Sequence, residues 1–418
     1  MHDNHCRHCN HVLTKTFLDL GSAPPSNAYI LRENLDQEEI WLPLKVMVCE
    51  QCWLVQTLDF AGRENLFSED YAYFSSFSST WLQHAQNFVE VMQKRFDLTQ
   101  DSLILEVAAN DGYLLQYAQA ALIPCYGIEP TTSTATAARA KGLTIIGDFF
   151  GQSLAQRLAL EGKQVDLSVA NNVLAHVPDI NDFVAGFSTI LKPDGVASFE
   201  FPHLLNLVRL NQFDTVYHEH YSYLSLTAIS TIFEKQGLGI FDVEKLTTHG
   251  GSLRVLAQRV DTGRRPIAAE VTIILDEEKL AGIRDIHFYE AAQARAEQAK
   301  FDLLAFLLDA KKAGKQVAAY AAAAKGNTLL NFSGVRPDLI SYVVDINPHK
   351  QGKYLPGSRI PILGLEALHQ CIPDYLLILA WNLKDEVIKT LKLELGELIA
   401  SRIQFVTAIP DLNFEVVK

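Results

Sequence analysis

Short apolar runs alternate with longer amphipathic stretches along most of the chain, an order that predicts an α/β protein. In DSLILEVAANDGYLLQYAQA, an apolar strand at 103–107 leads into a small polar loop at 108–112 and then into an amphipathic helix. A second strand follows in IPCYGIEP and ends at Glu129. This order of strand, loop, helix, strand and acid indicates the ligand-binding half of a doubly wound parallel sheet.

Three more strands extend the predicted sheet. The third, in KGLTIIGDFF, is followed by Asp148, and the fourth, VDLSVA, leads to Asn171, Asn172 and His176. A further strand is expected in LKPDGVASFEFP after a Pro–Gly turn. Because no G-x-G-x-x-G follows the first strand, a dinucleotide is disfavoured, while another nucleotide-containing ligand stays open.

The C-terminal third repeats the plan on a smaller scale. After a turn-rich break, DTGRRP, and a long charged helical run, KQVAAYAAAAKGNTLLNFSG again has the order strand, loop, helix. A strand ending at Asp345 and the buried strand YLLILAWN follow. We therefore predict three domains: an N-terminal module at 1–68, a central Rossmann-like domain at 69–262 and a smaller Rossmann-like α/β domain at 263–418.

The N-terminal module contains two C-x-x-C pairs, Cys6 with Cys9 and Cys49 with Cys52. Two residues between thiolates let one tight turn direct both sulfurs at a tetrahedral zinc, and two such turns complete a closed four-cysteine site. A closed site has no open position for water, so we expect a structural zinc ion. Two redox dithiols are the alternative.

Composition narrows the class of protein. The 418 residues are 48% hydrophobic and 20% charged, which excludes a disordered chain and a disulfide-dense miniprotein. The net charge of −13 disfavours binding to nucleic acid, since phosphates would be repelled. The sequence has no apolar run long enough to span a bilayer, and its N-terminus is polar, so we expect a cytoplasmic protein that is outside the membrane. We also expect a monomer.

Two clusters of hydroxyl, aromatic and titratable residues flank the predicted sheet: SEDYAYFSSFSSTW before it and TVYHEHYSYLS after it. A histidine with a near-neutral pKa can remove a proton, a carboxylate can orient it, and a tyrosine hydroxyl can stabilise an oxyanion. Strict strand alternation would send Glu219 and His220 to opposite faces, so both face one cavity only if a turn or the start of a helix occurs there. A metal held by two histidines and this glutamate is an alternative.

Acids after successive strands are also the order seen in class I S-adenosylmethionine methyltransferases. Over nearly its whole length, the chain resembles the zinc-containing sugar C-methyltransferases, which act on nucleotide-linked 4-keto-deoxysugars. The resemblance rests on the paired C-x-x-C and on YAYFSSFSSTW, LEVAANDGYLL, GIEPT, ANNVLAHVPD, YHEHYSYLS, HGGSLRV, AAAAKGNTLLN and DINPHKQGKYLPGSRIPI. It implies that the central domain is a class I methyltransferase domain and that S-adenosylmethionine is the methyl donor.

Carried over residue by residue, the resemblance implies that His220 is the general base. Tyr217 and Glu219 would assist it, and Tyr71 and His176 would face the sugar. The implied contacts to S-adenosylmethionine are Asn110, Asp111, Gly112, Glu129, Asp148 and Asn171. The loop AAND departs from glycine-rich methyltransferase loops, since it has no glycine before Gly112.

The sugar nucleotide has a diphosphate that needs donors and positive charge. Lys325 and Asn327 lie where the C-terminal loop enters a helix, a position that favours anions, and Arg254 in HGGSLR lies on an expected flexible loop. We therefore expect these three residues to bind the substrate, although the C-terminal loop could merely turn the chain.

The predicted reaction is C-methylation, at C3, of an NDP-4-keto-6-deoxyhexose through an enolate, in deoxysugar biosynthesis. Methylation at C5, or at oxygen or nitrogen of a related nucleotide sugar, is the nearest alternative. An NAD-linked oxidoreductase and a zinc-ribbon interaction module are alternatives from other classes.

Overall fold

A computed structural model describes residues 4–58, 60, 74–396 and 400–416 and confirms the α/β fold class. It has an N-terminal four-cysteine cluster, a central Rossmann-like sheet and a further C-terminal α/β sheet. The predicted residue Tyr71 lies outside the described residues. In the part of the chain described, no helix has the length and apolar character that crossing a bilayer requires.

The N-terminal segment forms an antiparallel sheet that joins the two larger parts of the molecule. Its strands are β1 (Lys15–Ala23), β2 (Leu42–Val48) and β3 (Val55–Thr57), paired in this order. β3 also pairs with Ser222–Tyr223 from the central segment. Apolar residues of β1 and β2, such as Phe17 and Val46, are buried in one cluster with Leu303 of the C-terminal segment. The N-terminal sheet is therefore packed into the rest of the protein.

The central segment contains the predicted sheet. Its elements are α1 (Ser79–Arg95), β4 (Ile104–Val107), α2 (Leu115–Ala120), β5 (Cys125–Ile128), α3 (Thr132–Ala140), β6 (Ile145–Ile146), α4 (Gln152–Leu160), β7 (Val165–Asn171), α5 (Ile180–Ile190), β8 (Leu191–Pro202), α6 (Leu204–Arg209), β9 (Ser222–Tyr223), α7 (Leu226–Lys235), β10 (Leu238–Leu246) and β11 (Ser252–Arg259). The sheet order is β10-β11-β8-β7-β4-β5-β6. Strands β4 to β8 are parallel to one another, whereas β11 pairs antiparallel with both β8 and β10. The order in which strands are added to the sheet reverses between β4 and β7, and a crevice opens there at the carboxyl ends of these two strands.

The C-terminal segment repeats this design. Its elements are α8 (Ala269–Ala281), α9 (His287–Glu290), α10 (Ala292–Lys312), β12 (Val317–Tyr320), α11 (Ala324–Ser333), β13 (Val343–Val344), β14 (Ile362–Leu363), α12 (Glu366–Gln370), β15 (Tyr375–Ile378), α13 (Lys384–Leu395), β16 (Gln404–Thr407) and β17 (Asn413–Val416). The order β14-β13-β12-β15-β16-β17 places its crevice between β12 and β15.

Helix α8 follows the predicted boundary at 262/263 but packs on the central sheet, where Val271 and Ile274 join the central apolar cluster. From this helix, the fully buried Glu278 accepts hydrogen bonds at the N-terminus of α7, from the N–H of Leu226 and from both the N–H and the hydroxyl of Thr227. Its Oε1 lies 2.7 Å from Nε2 of His203. The carboxylate thus satisfies helix donors that would otherwise be buried without acceptors.

We predict that Glu278→Ala lowers the unfolding midpoint by several degrees. The substitution leaves buried donors without their acceptor, a loss of about 3–5 kcal/mol for a buried charged partner. Thermal unfolding followed by circular dichroism measures it. Glu277→Ala is the matched control, because the neighbouring Glu277 pairs with Lys245 and Arg209 at the surface. Equal shifts for the two variants would contradict the role of Glu278.

Candidate active site and zinc site

The structure brings the four predicted metal ligands together. The sulfurs of Cys6, Cys9, Cys49 and Cys52 all lie within 4.8 Å of one another, and the Cys6–Cys52 and Cys9–Cys49 pairs are 3.5 Å apart. Thiolates bound to a tetrahedral zinc at about 2.3 Å would be roughly 3.8 Å apart. Four sulfur donors at these distances fit a structural zinc ion.

Each pair of cysteines lies on a turn closed by main-chain hydrogen bonds. The N–H of Asn10 donates to the carbonyl of Cys6, and the N–H of Trp53 donates to that of Cys49, both at 2.9 Å. Both donor residues have a left-handed φ of 61°. Asparagine tolerates this conformation well, whereas Trp53 is held in it by stacking on Tyr289, with ring centroids 6.5 Å apart.

One cavity of about 780 Å³ lies between the central and C-terminal sheets. On the central side it is lined by Asn110, in the loop after β4, and by Asn171, the last residue of β7. On the C-terminal side it is lined by residues after β12 and β15, including Lys325 and Trp381. Both crevices at which doubly wound sheets bind ligands therefore open into the same space.

On the central side of the cavity, several groups are arranged around Glu129. Its two carboxylate oxygens accept the N–H groups of Asn110 and Thr131, each at 2.9 Å, and retain lone pairs for a ligand. The side-chain amide of Asn171 is buried, and neither its nitrogen nor its oxygen has a hydrogen-bond partner among the described residues. Such an amide calls for a polar ligand, and these residues fit the ribose and amino-acid groups of S-adenosylmethionine.

Asp111, Gly112 and Asp148 have other surroundings. Asp111 accepts the N–H of Ser76 at 3.3 Å, and Asp148 forms an exposed ion pair with Arg157. At Gly112, φ is +77° and a Cβ atom would lie 2.2 Å from Leu143. Glycine is thus favoured there by its backbone conformation and by close packing against Leu143 and Ala138. Beside Asp148, the rings of Phe149 and Phe150 line the cavity.

The predicted catalytic residues Tyr217, Glu219, His220 and His176 all line the cavity. The expected interruption of the strand is present, since residues 218 and 219 form a turn before β9. The rings of His220 and Tyr217 have centroids 3.9 Å apart, and those of His220 and His176 are 4.6 Å apart. Among the described residues, the four cysteines are the group placed to hold a metal.

Hydrogen bonds fix the tautomers of the two histidines. Nδ1 of His220 lies 2.8 Å from the carbonyl of Thr215, and Nδ1 of His176 lies 2.8 Å from the carbonyl of Glu219. A carbonyl only accepts, so both Nδ1 atoms carry the proton and both Nε2 atoms keep a lone pair. Burial, with the nearby His176, lowers the pKa of His220 well below its usual value, and burial lowers that of His176 to about 4. Both rings are neutral at pH 7.

On the C-terminal side, Lys325 lies in the first turn of α11, as predicted. Its ammonium group donates to Oδ1 of Asn382 at 3.1 Å and lies 4.8 Å from the ring centroid of Trp381. The indole N–H of Trp381 in turn donates to the buried Asp214 at 2.7 Å. Burial lowers the pKa of Lys325, and the Asp214 carboxylate opposes this shift. The site therefore presents a cation next to an aromatic ring.

Two residues expected to bind substrate are engaged with the protein. Arg254 lies inside strand β11, so the expectation of a flexible loop at this position is wrong, and it is buried between Glu200 and Glu244. Asn327 is also buried, in helix α11, where its side-chain amide donates to the carbonyl of Ser26 at 2.6 Å. The apolar residues in SLRVLA are the sequence signal that could have placed Arg254 on a strand.

The cavity lining also includes residues that were not singled out from the sequence, among them Asn27, Lys350 and Trp381. Asn27 lies between the two cysteine pairs, just after β1. Lys350 lies 3.4 Å from Asp345, whose carboxylate also accepts the N–H groups of Ala322 and Asn347. The Asp345 carboxylate is therefore engaged by groups of the C-terminal domain.

Comparison with known proteins finds three family models along the chain. They are described as "C-methyltransferase C-terminal domain" (residues 247–410), "Putative zinc binding domain" (residues 6–67) and "Methyltransferase domain" (residues 82–243). The C-methyltransferase NovU of Streptomyces niveus is 33% identical over 408 residues, which cover 97% of this chain and 95% of that protein.

Solved structures resemble the central segment more distantly. A magnesium protoporphyrin IX methyltransferase from Synechocystis PCC 6803 is 18% identical, with 43% of this chain and 79% of that chain covered and a TM-score of 0.33. A protein from Pyrococcus horikoshii OT3 is 15% identical, with 45% and 95% covered and a TM-score of 0.37. At these scores neither structure bears on the function of this chain.

We predict that Cys49→Ser lowers both the zinc content and the yield of folded protein, because an incomplete site loses the folding free energy linked to the metal. Metal analysis of the purified protein and its soluble yield measure the effect. Cys371→Ser is the matched control, since Cys371 is exposed and lies outside the cluster. A soluble, folded and zinc-free Cys49→Ser protein would argue against a structural zinc.

Proposed function

The chain belongs to the family of S-adenosylmethionine-dependent C-methyltransferases with an N-terminal zinc-binding segment, and we propose that it methylates C3 of an NDP-4-keto-6-deoxyhexose. The observation that carries the proposal is the neutral histidine pair in a cavity shared by two ligand crevices. One crevice would hold the methyl donor and the other the sugar nucleotide.

In this proposal His220 removes the proton from C3. The ketone at C4 acidifies that C–H bond, and the lone pair on Nε2 of His220 takes the proton while the C–H electrons form an enolate. The tautomer needed for this step is fixed by the carbonyl of Thr215, 2.8 Å from Nδ1. The low pKa of His220 keeps the ring unprotonated at neutral pH, so it enters the reaction as a base.

Bound S-adenosylmethionine supplies an electrophilic methyl group; when the enolate carbon attacks it, S-adenosylhomocysteine leaves with the electron pair of the broken carbon–sulfur bond. The role of Glu129, Asn110 and Asn171 is to orient the donor so that its methyl group lies in line with C3. Holding the reacting atoms about 3–3.5 Å apart accounts for much of the rate enhancement in such transfers.

The oxygen of the enolate requires a hydrogen-bond donor nearby. The hydroxyl of Tyr217 is the candidate, because its ring lies against His220 with centroids 3.9 Å apart. Tyr71 remains a predicted sugar contact. His176, which lines the cavity and is oriented by the carbonyl of Glu219, would bind a sugar hydroxyl.

The diphosphate of the substrate would bind at Lys325. This ammonium lies at the N-terminus of a ten-residue helix, where main-chain N–H groups and the helix dipole also favour an anion. Trp381 beside it offers an aromatic face. Two features that favour a phosphorylated, ring-containing ligand thus occur together in the C-terminal crevice.

The substrate class is tested by incubating the purified protein with S-adenosylmethionine and a panel of NDP-4-keto-6-deoxyhexoses, with mass spectrometry as the readout. We expect one sugar nucleotide to gain the mass of one methylene group, at C3 by NMR. Transfer only to an oxygen or nitrogen acceptor, or to C5, would overturn the proposal.

We predict that His220→Asn lowers kcat by about 10²–10⁴-fold, the usual contribution of a general base, with little change in the Kd for S-adenosylmethionine. Asparagine can keep a donor towards the carbonyl of Thr215 but lacks the basic Nε2. Exchange of solvent deuterium into C3 in the presence of S-adenosylhomocysteine should stop as well. His287→Asn, at an exposed position, is the control. Undiminished exchange in His220→Asn would exclude His220 as the base.

A further inference from the structure

The segment at 24–30 leaves the zinc-binding part of the chain and docks on the C-terminal domain. Pro24 and Pro25 set an extended or turning backbone at its start. Ile30 then forms an antiparallel bridge with Tyr354, through main-chain hydrogen bonds of 3.0 and 2.9 Å. Between these points the carbonyl of Ser26 accepts the amide of Asn327 at 2.6 Å. The segment therefore continues directly from β1 and is held to the C-terminal domain at Ser26 and at Ile30.

This docking brings Asn27 into the active-site cavity in one orientation. Its side-chain amide nitrogen donates to Oε2 of Glu219 at 2.8 Å, and both side chains line the cavity. The hydroxyl of Tyr29 lies 3.3 Å from the amide oxygen of Asn27 and donates to the carbonyl of Ala322 at 2.6 Å. An ionised carboxylate only accepts, so the end of the amide that faces Oε2 of Glu219 is its N–H₂ group.

The two carboxylate oxygens of Glu219 have different surroundings. Oε2 is occupied by Asn27, whereas Oε1 is buried and has no hydrogen-bond partner among the described residues. A buried carboxylate oxygen without a donor is costly, and it is satisfied when a ligand in the cavity supplies one. A sugar hydroxyl is such a donor, whereas a ketone oxygen is not.

We propose that Asn27 is a positioning residue that holds Glu219 as an ionised carboxylate, with Oε1 left to accept a hydrogen bond from a hydroxyl of the acceptor sugar. This inference rests on the proposed function. It makes the zinc-binding part of the chain a contributor to acceptor binding as well as a structural module.

The electrostatic setting gives the proposal a measurable consequence. Burial raises the pKa of Glu219 to about 7, and the side-chain and main-chain N–H groups of Asn27 oppose this rise. Other titratable groups also face Glu219. They are Tyr29 on the segment of Asn27, His176 and His220 on the central domain, and Lys350 with Asp345 on the C-terminal domain. The two histidines are neutral at pH 7, and Lys350 and Asp345 pair with each other.

Asn27→Ala should therefore move the acidic limb of the kcat/KM profile to higher pH. A hydrogen-bond donor to a carboxylate favours its charged form, so loss of the side-chain amide of Asn27 raises the pKa of Glu219. A larger fraction of the enzyme then carries the inactive, protonated acid. For a rise of roughly one pH unit, activity at pH 7 falls about fivefold and recovers by about pH 9. Ser26→Ala is the matched control, since Ser26 is held through its main-chain carbonyl.

A merely structural role for Asn27 predicts a different result, namely the same loss of activity at every pH. Glu219→Gln should remove the acidic limb near pH 7, and adding Asn27→Ala to that variant should change kcat/KM little. An unshifted limb in Asn27→Ala, or a full additional loss in the double variant, would overturn the inference.

A measurement without substrate separates this inference from the proposed function. The infrared C=O stretch of protonated Glu219, identified by its absence in Glu219→Gln, should titrate near pH 7 in the full-length enzyme and at higher pH in Asn27→Ala. If no sugar nucleotide is methylated but this shift occurs, the proposed substrate fails while the Asn27–Glu219 coupling stands. If methylation occurs and the band does not shift, the coupling is refuted.

Discussion

The active site depends on the docking of helix α11, because its first turns hold three parts of the chain together. The side-chain amide of Asn327 donates to the carbonyl of Ser26 from the N-terminal segment, and the neighbouring Thr328 donates to the carbonyl of Val216 at 2.7 Å, just before the turn at 218–219. Lys325, one turn earlier, lines the cavity. Because these polar groups are buried, breaking their hydrogen bonds would leave them without partners. The hydrogen bonds therefore fix the relative positions of the three segments.

Burial sets the chemistry of the cavity. Removing His220 and His176 from water disfavours their charged forms, while their main-chain carbonyl partners fix the tautomer in which Nε2 is basic. The same burial raises the pKa of Glu219, which needs donors to stay ionised. One low-dielectric environment thus keeps bases neutral and makes acids dependent on their hydrogen-bond partners.

The zinc site and the active site are linked through the chain between the two cysteine pairs. A closed cluster of four sulfurs brings the ends of this 39-residue stretch (10–48) together, and the antiparallel pairing of β1 with β2 orders much of what lies between. The segment at 24–30 then projects from the end of β1 towards the C-terminal domain. The four-cysteine cluster can therefore influence the cavity through the position of Asn27.

The sequence by itself determined the features that depend on local pattern. Alternating apolar and amphipathic runs predicted both Rossmann-like sheets, C-x-x-C spacing predicted the four-sulfur cluster, and the turn needed between Glu219 and His220 is present. Tertiary structure decided which side chains are left for a ligand. Arg254 and Asn327 have suitable chemistry, yet buried protein partners occupy them, whereas Asn27, 192 residues from Glu219, reaches the cavity. The reason is that periodicity reports which face of an element is buried, but the hydrogen-bond partner of a buried polar group is fixed only when distant segments pack.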